Sequence, residues 1–207
     1  MITYTMLLHG LCNAGKVNEA MKLWDDTQIN GYGKAERIDD AESLFNELVH
    51  QKSELNSIVY NSMISAFCRT KNMVKAFQFC DEMRSKGIFP TSLTYSCRID
   101  GLSNIGRVQE AEYLLNAMRE VGLMPNVFCY TSLMGGHCKL GEMDEAESIF
   151  QEMCSNGVSP NKITYTIMIS GICKIGDLGK AAKLLEKMAE DGISPDIVKE
   201  WEGDGMA

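Results

Sequence analysis

The chain repeats one pattern of residue types every 35 positions over residues 57–196. Each period carries a tyrosine, an alanine, a methionine, a glycine and a proline at matching positions. The proline closes each period, and the protein has these four prolines only: Pro90, Pro125, Pro160 and Pro195. A period of this length is typical of solenoids, whose units bury their apolar faces only by stacking on one another. We therefore expect function to lie along the stacked surface rather than in a single pocket.

Two helices fill each period. In residues 162–196, Tyr165, Met168 and Ile172 fall at helical spacing, and Gly176 then interrupts the pattern. The second half again places apolar residues every three or four positions, until Gly192 and Pro195 end the run. No segment alternates with the period of two that a β-strand requires. The sequence thus predicts an all-α solenoid of helix-turn-helix repeats.

The composition narrows the classes of protein. Hydrophobic residues make up 45% of the 207 residues, which is ample for a core, and no apolar run approaches the ~20 residues of a membrane helix. We expect no membrane segment. The eight cysteines include no C-x-x-C pair, which disfavours zinc. Four cysteines recur at one place in the repeat, which favours small buried side chains over metal ligands or disulfides: Cys12, Cys68, Cys138 and Cys173.

Besides the apolar residues at helical spacing, each first helix carries a stripe of different composition along another face. The stripe consists of an apolar residue, two small or polar residues and then a cation. The stripe of the last period holds Ile163, Thr166, Ser170 and Lys174, spaced by 3, 4 and 4. This spacing keeps the residues on one helical face. Because its composition does not suit a core, we expect the stripe to face solvent or a ligand.

These features together resemble one family. The residues from Ile163-Thr164-Tyr165-Thr166 to Ser194-Pro195-Asp196 are similar to the pentatricopeptide repeat of the plain 35-residue kind, and the resemblance extends over most of the chain. It implies a right-handed superhelical solenoid that binds single-stranded RNA in plant mitochondria or chloroplasts, with one base per repeat. It also implies no catalytic residue, no metal, no cofactor and no small-molecule substrate.

The resemblance assigns roles to particular residues. Each base is contacted by a reading pair, which is the residue after the tyrosine together with the residue after the closing proline. The pairs are Asn61 with Thr91, Ser96 with Asn126, Thr131 with Asn161, and Thr166 with Asp196. Bases are sandwiched by the apolar residues two before the tyrosine, and phosphates are contacted by cations at the end of the first helix. The sandwiching residues are Ile58, Leu93, Phe128, Ile163 and Val198. The cations are Lys34, Arg69, Lys139 and Lys174, whereas Asn104 departs from this pattern.

The chemistry of the reading pairs suggests a base for each repeat. A hydroxyl and an Asn amide can each donate or accept, and a carboxylate only accepts. By the family's pairing rule, the Ser96 and Thr131 pairs resemble adenine readers and the Thr166 pair resembles a guanine reader. The Asn61 pair resembles a weak pyrimidine reader.

Both ends depart from the repeat. Ala20 and Ala41 are 21 residues apart instead of 35, so we expect an internal deletion in residues 1–56 and one merged or shortened helix over about residues 16–30. Residues 57–196 form four full repeats, and residues 197–207 an aborted repeat and tail. Without a cap, we expect Leu184, Leu185 and Met188 to be exposed and to offer a surface for protein partners.

The net charge of −8 disfavours nucleic acid, although the acidic residues concentrate on second helices and the stripe cations on first helices.

Three alternatives to RNA binding remain open: a protein-interaction scaffold, an inert gene product and an enzyme. A protein-interaction scaffold of the tetratricopeptide type would have a 34-residue period instead. A truncated, inert gene product also fits the irregular ends. An enzyme fits least, because His9, His50 and His137 lie far apart with no repeated acidic partner.

Overall fold

A computed structural model describes residues 42, 45–46 and 56–194. In the range 56–194 the chain forms eight α-helices, and no strand occurs among the described residues. The helices are α1 (Ser57–Arg69), α2 (Met73–Ser85), α3 (Ser92–Asn104), α4 (Val108–Glu120), α5 (Val127–Leu140), α6 (Met143–Ser155), α7 (Lys162–Lys174) and α8 (Leu178–Glu190). Consecutive odd-numbered helices begin 35 residues apart. The predicted all-α solenoid of helical hairpins is confirmed.

Local signals in the sequence set the helix ends. The residue before each odd-numbered helix is an Asn or a Thr with extended backbone, which is the favoured geometry and residue type for an N-cap. Each even-numbered helix is followed closely by a glycine of positive φ, such as Gly122 with φ 78°. This left-handed conformation suits glycine and stops the helix, and the closing proline follows three residues later.

The core runs through the whole stack. Each odd-numbered helix packs against its own hairpin partner, and successive odd-numbered helices pack against one another from α1 to α7. The tyrosine, alanine and methionine of every repeat are at most 4% exposed, which accounts for their recurrence. They are Tyr60, Tyr95, Tyr130, Tyr165, Ala76, Ala111, Ala146, Ala181, Met83, Met118, Met153 and Met188. The odd-numbered helices thus form one continuous layer, and the even-numbered helices cover one side of it.

Glycines bring neighbouring repeats into close contact. Gly101, Gly136 and Gly171 occupy the same position of α3, α5 and α7, and a Cβ atom at each would meet side chains of the preceding repeat within 3 Å. At Gly136 the nearest atom would be the Val108 Cγ1 at 2.7 Å, and the Ser103 carbonyl oxygen would lie at 3.2 Å. The absence of a side chain at these positions therefore sets how closely successive repeats stack.

Two expectations about burial need correction. Met188 is 1% exposed, and Leu184 and Leu185 are half-buried, because this stripe packs into the hairpin of α7 and α8 rather than against a following repeat. Cys68 is buried, but Cys138 is half-buried and Cys173 is exposed. Cys68 and Cys138 are covered by the glycine of the next odd-numbered helix, whereas no described helix follows α7 in this layer.

Several expectations concern residues outside the described part of the chain. They are the merged or shortened helix over about residues 16–30, the roles of Lys34, Asp196 and Val198, the position of Cys12, and the tail at 197–207. Within the described residues, no helix has the length and apolar character to cross a membrane. The same residues contain no group of His, Cys, Asp or Glu side chains suited to hold a metal ion.

The thiols should report this pattern of burial. We expect iodoacetamide at pH 8 to alkylate Cys154 and Cys173, which are exposed, and to spare Cys68. Burial raises the pKa of the Cys68 thiol to about 12, so both access and ionisation are suppressed. Because the unfolded thiol ionises near its ordinary pKa of 9.0, a pH above that value also favours unfolding.

Mass spectrometry of the digested protein measures this labelling. A sample alkylated in urea is the control, and there all three thiols should react alike. Equal rates for Cys68 and Cys173 in the native protein would contradict the packing of α1 against α3.

Candidate nucleic-acid interface

Apolar side chains protrude at the start of each odd-numbered helix. Leu93, Phe128 and Ile163 are 42%, 49% and 62% exposed, and Ile58 is half-buried. They lie three residues before the reading residue of the same helix, which is about one turn. Large exposed apolar groups at a regular interval can stack on flat aromatic bases. Leu93, Phe128 and Ile163 therefore lie on an exposed face, as expected from the sequence, and their contact with a base stays a prediction.

The first member of most reading pairs is less exposed than the polar composition of the stripe suggested. Asn61, Ser96 and Thr131 are 3%, 3% and 7% exposed, and Thr166 alone is open to solvent. The expectation of a solvent-facing stripe was therefore wrong for three of the four residues. Its physical cause is the next odd-numbered helix, which packs over the start of the preceding one and supplies polar partners.

The second member of each described pair is an N-cap. Asn126 Oδ1 accepts from the Cys129 N–H at 3.1 Å, and Asn161 Oδ1 accepts from the Thr164 N–H at 3.0 Å. Thr91 caps α3, and its N–H donates to Thr94 Oγ1 at 2.9 Å. Capping uses the amide oxygen of both asparagines, so their Nδ2 hydrogens remain as donors. Within the described part of the chain, we see no hydrogen bond from either Nδ2.

Asn61 and Thr91 contact each other directly. Asn61 Nδ2 donates to Thr91 Oγ1 at 3.1 Å, although 30 residues separate them in the sequence. Asn61 Oδ1 accepts from Thr94 Oγ1 at 2.5 Å. The structure thus brings together the two members of this reading pair and adds a third residue, Thr94.

The next two pairs also have a third partner, which comes from the equivalent position of the following repeat. Ser96 Oγ donates to the Ser92 carbonyl at 2.7 Å and lies 3.1 Å from Cys129 Sγ. Thr131 Oγ1 lies 2.9 Å from Thr164 Oγ1. Cys129 and Thr164, like Thr94, directly precede the tyrosine of the following repeat. The sequence analysis missed this position, because only the stacking of repeats shows that it lies beneath the reading residue.

The hydroxyl proton of Thr131 can be assigned by counting donors. Thr164 Oγ1 donates its single proton to Asn161 Oδ1 at 3.1 Å, since a capping amide oxygen can only accept. Thr131 must then donate to Thr164, and its remaining lone pairs only accept. The pair of Thr131 and Asn161 therefore offers an acceptor on the first residue and a donor on the second.

Thr166 follows the same rule. Its hydroxyl donates to the Lys162 carbonyl at 2.8 Å, which leaves only acceptor capacity toward a ligand. Its predicted partner, Asp196, lies outside the described residues.

The predicted phosphate-contacting cations lie at the ends of odd-numbered helices. Arg69, Lys139 and Lys174 are exposed, and each is the last or the next-to-last residue of α1, α5 or α7. Lys139 Nζ donates to Asn104 Oδ1 at 2.7 Å, so the asparagine that departs from the cation pattern holds the lysine of the next repeat. This edge therefore carries a cation in three of the four described repeats.

Acidic residues of the even-numbered helices pair with cations away from this edge. Glu147 accepts from Lys180 Nζ at 2.6 Å, and Glu152 pairs with Arg119. His137 is buried, and its Nδ1 and Nε2 contact Glu142 at 2.8 Å and Glu112 at 2.9 Å. Sequence reasoning missed these partners of His137, which join three helices of two repeats. These four glutamates are therefore engaged in contacts within and between repeats.

Family models match along the chain. The PPR repeat family matches residues 55–104, 97–139 and 125–174. Further PPR repeats match residues 1–26, 29–52 and 163–193. All these matches are to the repeat itself.

Curated relatives carry the same repeat. A putative pentatricopeptide repeat-containing protein of Arabidopsis thaliana is 28% identical over 116 residues, which cover 49% of this chain and 23% of that protein. A mitochondrial pentatricopeptide repeat-containing protein of the same plant is 29% identical over 110 residues, which cover 46% of this chain and 26% of the relative. The chain thus matches about a quarter of the length of these relatives.

Solved structures agree with the fold. The pentatricopeptide repeat protein PPR10, in complex with an 18-nt psaJ RNA element, superposes with a TM-score of 0.72 at 26% identity, over 78% of this chain and 24% of PPR10. The PPR domain of Arabidopsis thaliana protein-only RNase P 1, in complex with tRNA, has a TM-score of 0.64 at 17% identity, over 81% of this chain and 92% of that domain. With its repeats matched by family models and its hairpins by solved solenoids, the chain belongs to the PPR repeat family.

Proposed function

We propose that this chain binds single-stranded RNA along its odd-numbered helices, with one base per repeat. The preferred sequence from 5′ to 3′ is pyrimidine-A-A-G, with the N-terminal repeat at the 5′ end. The observation that carries the proposal is the alternation of protruding apolar residues with polar reading pairs along one layer. The likeness to PPR10 bound to RNA supports it.

The third repeat shows how such a pair would select a base. Thr131 offers an acceptor, and Asn161 offers an N–H donor. Adenine presents an N6–H donor beside the N1 acceptor on its Watson–Crick edge, which complements this order. Ser96 and Asn126 have the same order, because the Ser92 carbonyl takes the proton of Ser96.

The fourth repeat should differ. Thr166 accepts, and the Asp196 carboxylate also only accepts. Guanine presents two neighbouring donors, N1–H and N2–H, so it suits a pair of acceptors. A guanine at the last position follows from this chemistry.

We also propose an organellar role in RNA processing, stability or translation, without catalysis by this chain. Relatives named as mitochondrial are 29% and 33% identical to it, and relatives named as chloroplastic are 28% and 27% identical. We place the protein in mitochondria first and in chloroplasts second. Fractionation of plant cells, with detection by an antibody to this chain, tests that order.

A binding titration tests RNA recognition. We expect the chain to bind a short RNA containing UAAG more tightly than one containing the reversed order GAAU, with each stacked base contributing about 1–3 kcal/mol. Affinity should fall as salt rises. Three cations, Arg69, Lys139 and Lys174, predict a slope of log K against log salt of about −2, at roughly −0.7 per neutralised phosphate.

Two lysine variants distinguish the predicted phosphate-contacting cations from other lysines on the surface. Lys174→Ala should make the salt slope shallower by about 0.7 without changing the order of preferred bases. Lys183→Ala removes an exposed lysine from α8 and should leave the slope unchanged. Equal affinity for both RNAs, or no binding to either, would refute the proposal and favour a protein-interaction scaffold.

A further inference from the structure

We propose that Thr94 is a positioning residue that makes the first described repeat prefer uracil over cytosine. Thr94 belongs to the second repeat and is fully buried, so it acts on the RNA only through Asn61. The inference rests on the RNA binding proposed above and specifies which pyrimidine the Asn61 and Thr91 pair selects.

Three side chains form a closed ring of hydrogen bonds. Asn61 Nδ2 donates to Thr91 Oγ1 at 3.1 Å, and Thr94 Oγ1 donates to Asn61 Oδ1 at 2.5 Å. Thr91 Oγ1 and Thr94 Oγ1 are 3.3 Å apart. Because the single hydroxyl proton of Thr94 goes to Asn61, Thr91 must donate to Thr94. The proton of Thr94 is therefore committed to Asn61.

The structure directs the oxygen end of the Asn61 amide toward Thr94 and the nitrogen end toward Thr91. Asn61 Oδ1 lies at the 2.5 Å contact with Thr94 Oγ1, a separation within the range of O–H···O bonds. The 3.1 Å contact to Thr91 fits an N–H donor. In the reverse orientation the nitrogen would lie at the short contact, and every hydrogen bond of the ring would have to change direction. Thr94 thus keeps Asn61 Oδ1 directed toward itself.

The ring leaves a defined pattern for a ligand. Asn61 retains its second N–H as a donor, and Thr91 retains a lone pair as an acceptor. This order is the reverse of the third repeat, where Thr131 accepts and Asn161 donates. The first described repeat therefore suits a base whose edge has the opposite order to that of adenine.

Uracil has that edge and cytosine does not. With the base placed as adenine is placed in the third repeat, uracil presents its O4 acceptor to Asn61 and its N3–H donor to Thr91. Cytosine presents the N4–H donor and the N3 acceptor, which is the order of adenine. Its binding would require the Asn61 amide to turn over, which would reverse the three hydrogen bonds that join it to Thr91 and Thr94.

Two of the other described repeats do not need such a residue, whereas Thr131 depends on Thr164 at the equivalent position. Ser96 and Thr166 donate to carbonyls of their own helices, so their acceptor character does not depend on the following repeat. An amide has two different ends, and a neighbour must select one of them. Thr94 makes that selection for Asn61.

The test compares UAAG with CAAG in short RNAs that are otherwise identical. We expect the full-length wild-type chain to prefer uracil by about five- to tenfold, as one correctly placed hydrogen bond allows. Thr94→Val should bring the ratio close to one, and Thr94→Ser should preserve it. Cys129→Val alters the equivalent position of the next repeat and should also preserve the ratio, because the Ser92 carbonyl holds the proton of Ser96.

A second variant guards against loss of folding. Thr94→Cys introduces the residue that Cys129 already provides at this position, and a thiol is a weak donor, so the ratio should again fall close to one. A merely structural effect would weaken both RNAs alike. If the wild-type chain binds both RNAs equally, or if Thr94→Cys keeps the preference for uracil, the role of Thr94 is wrong while RNA binding stands. If the wild-type chain binds no RNA, the proposed function fails and this inference fails with it.

Discussion

Gly136→Ala should destabilise the protein by about 1–2 kcal/mol, although alanine is the better helix former. The new Cβ would lie 2.7 Å from Val108 Cγ1 and 3.1 Å from Ser103 Cβ. Val108 is β-branched, and the third neighbour is the Ser103 carbonyl oxygen at 3.2 Å, so neither side can move away cheaply. The added methyl group must therefore push the second and third repeats apart. Thermal and urea unfolding followed by circular dichroism measure the change.

The adjacent glycine provides the control. A Cβ at Gly135 would meet Ile167 Cδ1 at 3.7 Å, which is an ordinary contact. Gly135→Ala should therefore stabilise α5 by about 0.5–1 kcal/mol through the lower entropy of the unfolded chain. If both variants shift stability in the same direction by a similar amount, the close approach at Gly136 does not limit the stacking.

Asn161→Asp should change the third preferred base from adenine to guanine. The carboxylate can still cap α7, because it accepts from the Thr164 N–H as the amide does. It replaces the Nδ2 donor with an acceptor, which would face the N1 lone pair of adenine. The discrimination should change by about 1–3 kcal/mol at this base. Competition between RNAs varied at the third base measures it.

A charge control distinguishes base selection from general repulsion of RNA. Asn116→Asp adds the same charge on the exposed surface of α4, within the second-helix layer. It should weaken all RNAs slightly and leave the order of bases as in the wild type. A change in base order with Asn116→Asp, or none with Asn161→Asp, would count against the assigned pair.

The sequence was sufficient for the features that depend on period and residue type. Aligned residues such as Tyr130, Ala146 and Met153 predicted the hairpins, because a residue buried once per repeat must recur once per repeat. The exposed position of Phe128 was also expected, and its contact with a base stays a prediction. The family predicted from these residues is confirmed.

Contacts between repeats were not predictable in this way. Asn61 and Thr131 were expected at the surface, because a polar stripe on one helix carries no information on the neighbour that covers it. Thr94 lies 33 residues from Asn61 and looks in the sequence like an ordinary first-turn threonine. The partners of His137 escaped notice for the same reason, since Glu112 belongs to another helix 25 residues away. Such pairings follow from the stacking geometry, which one sequence does not contain.

The central claim is that each repeat selects one base through its own pair, and exchanging two pairs tests it most directly. The double variant Asn161→Asp with Asp196→Asn exchanges the amide and the carboxylate between the third and fourth repeats. The wild-type chain should prefer UAAG over UAGA. The double variant should prefer UAGA, because guanine should be selected by whichever repeat carries the acceptor-only carboxylate. The measurement is a competition between these two RNAs at one salt concentration. The same order of preference in both proteins would contradict base selection by these pairs.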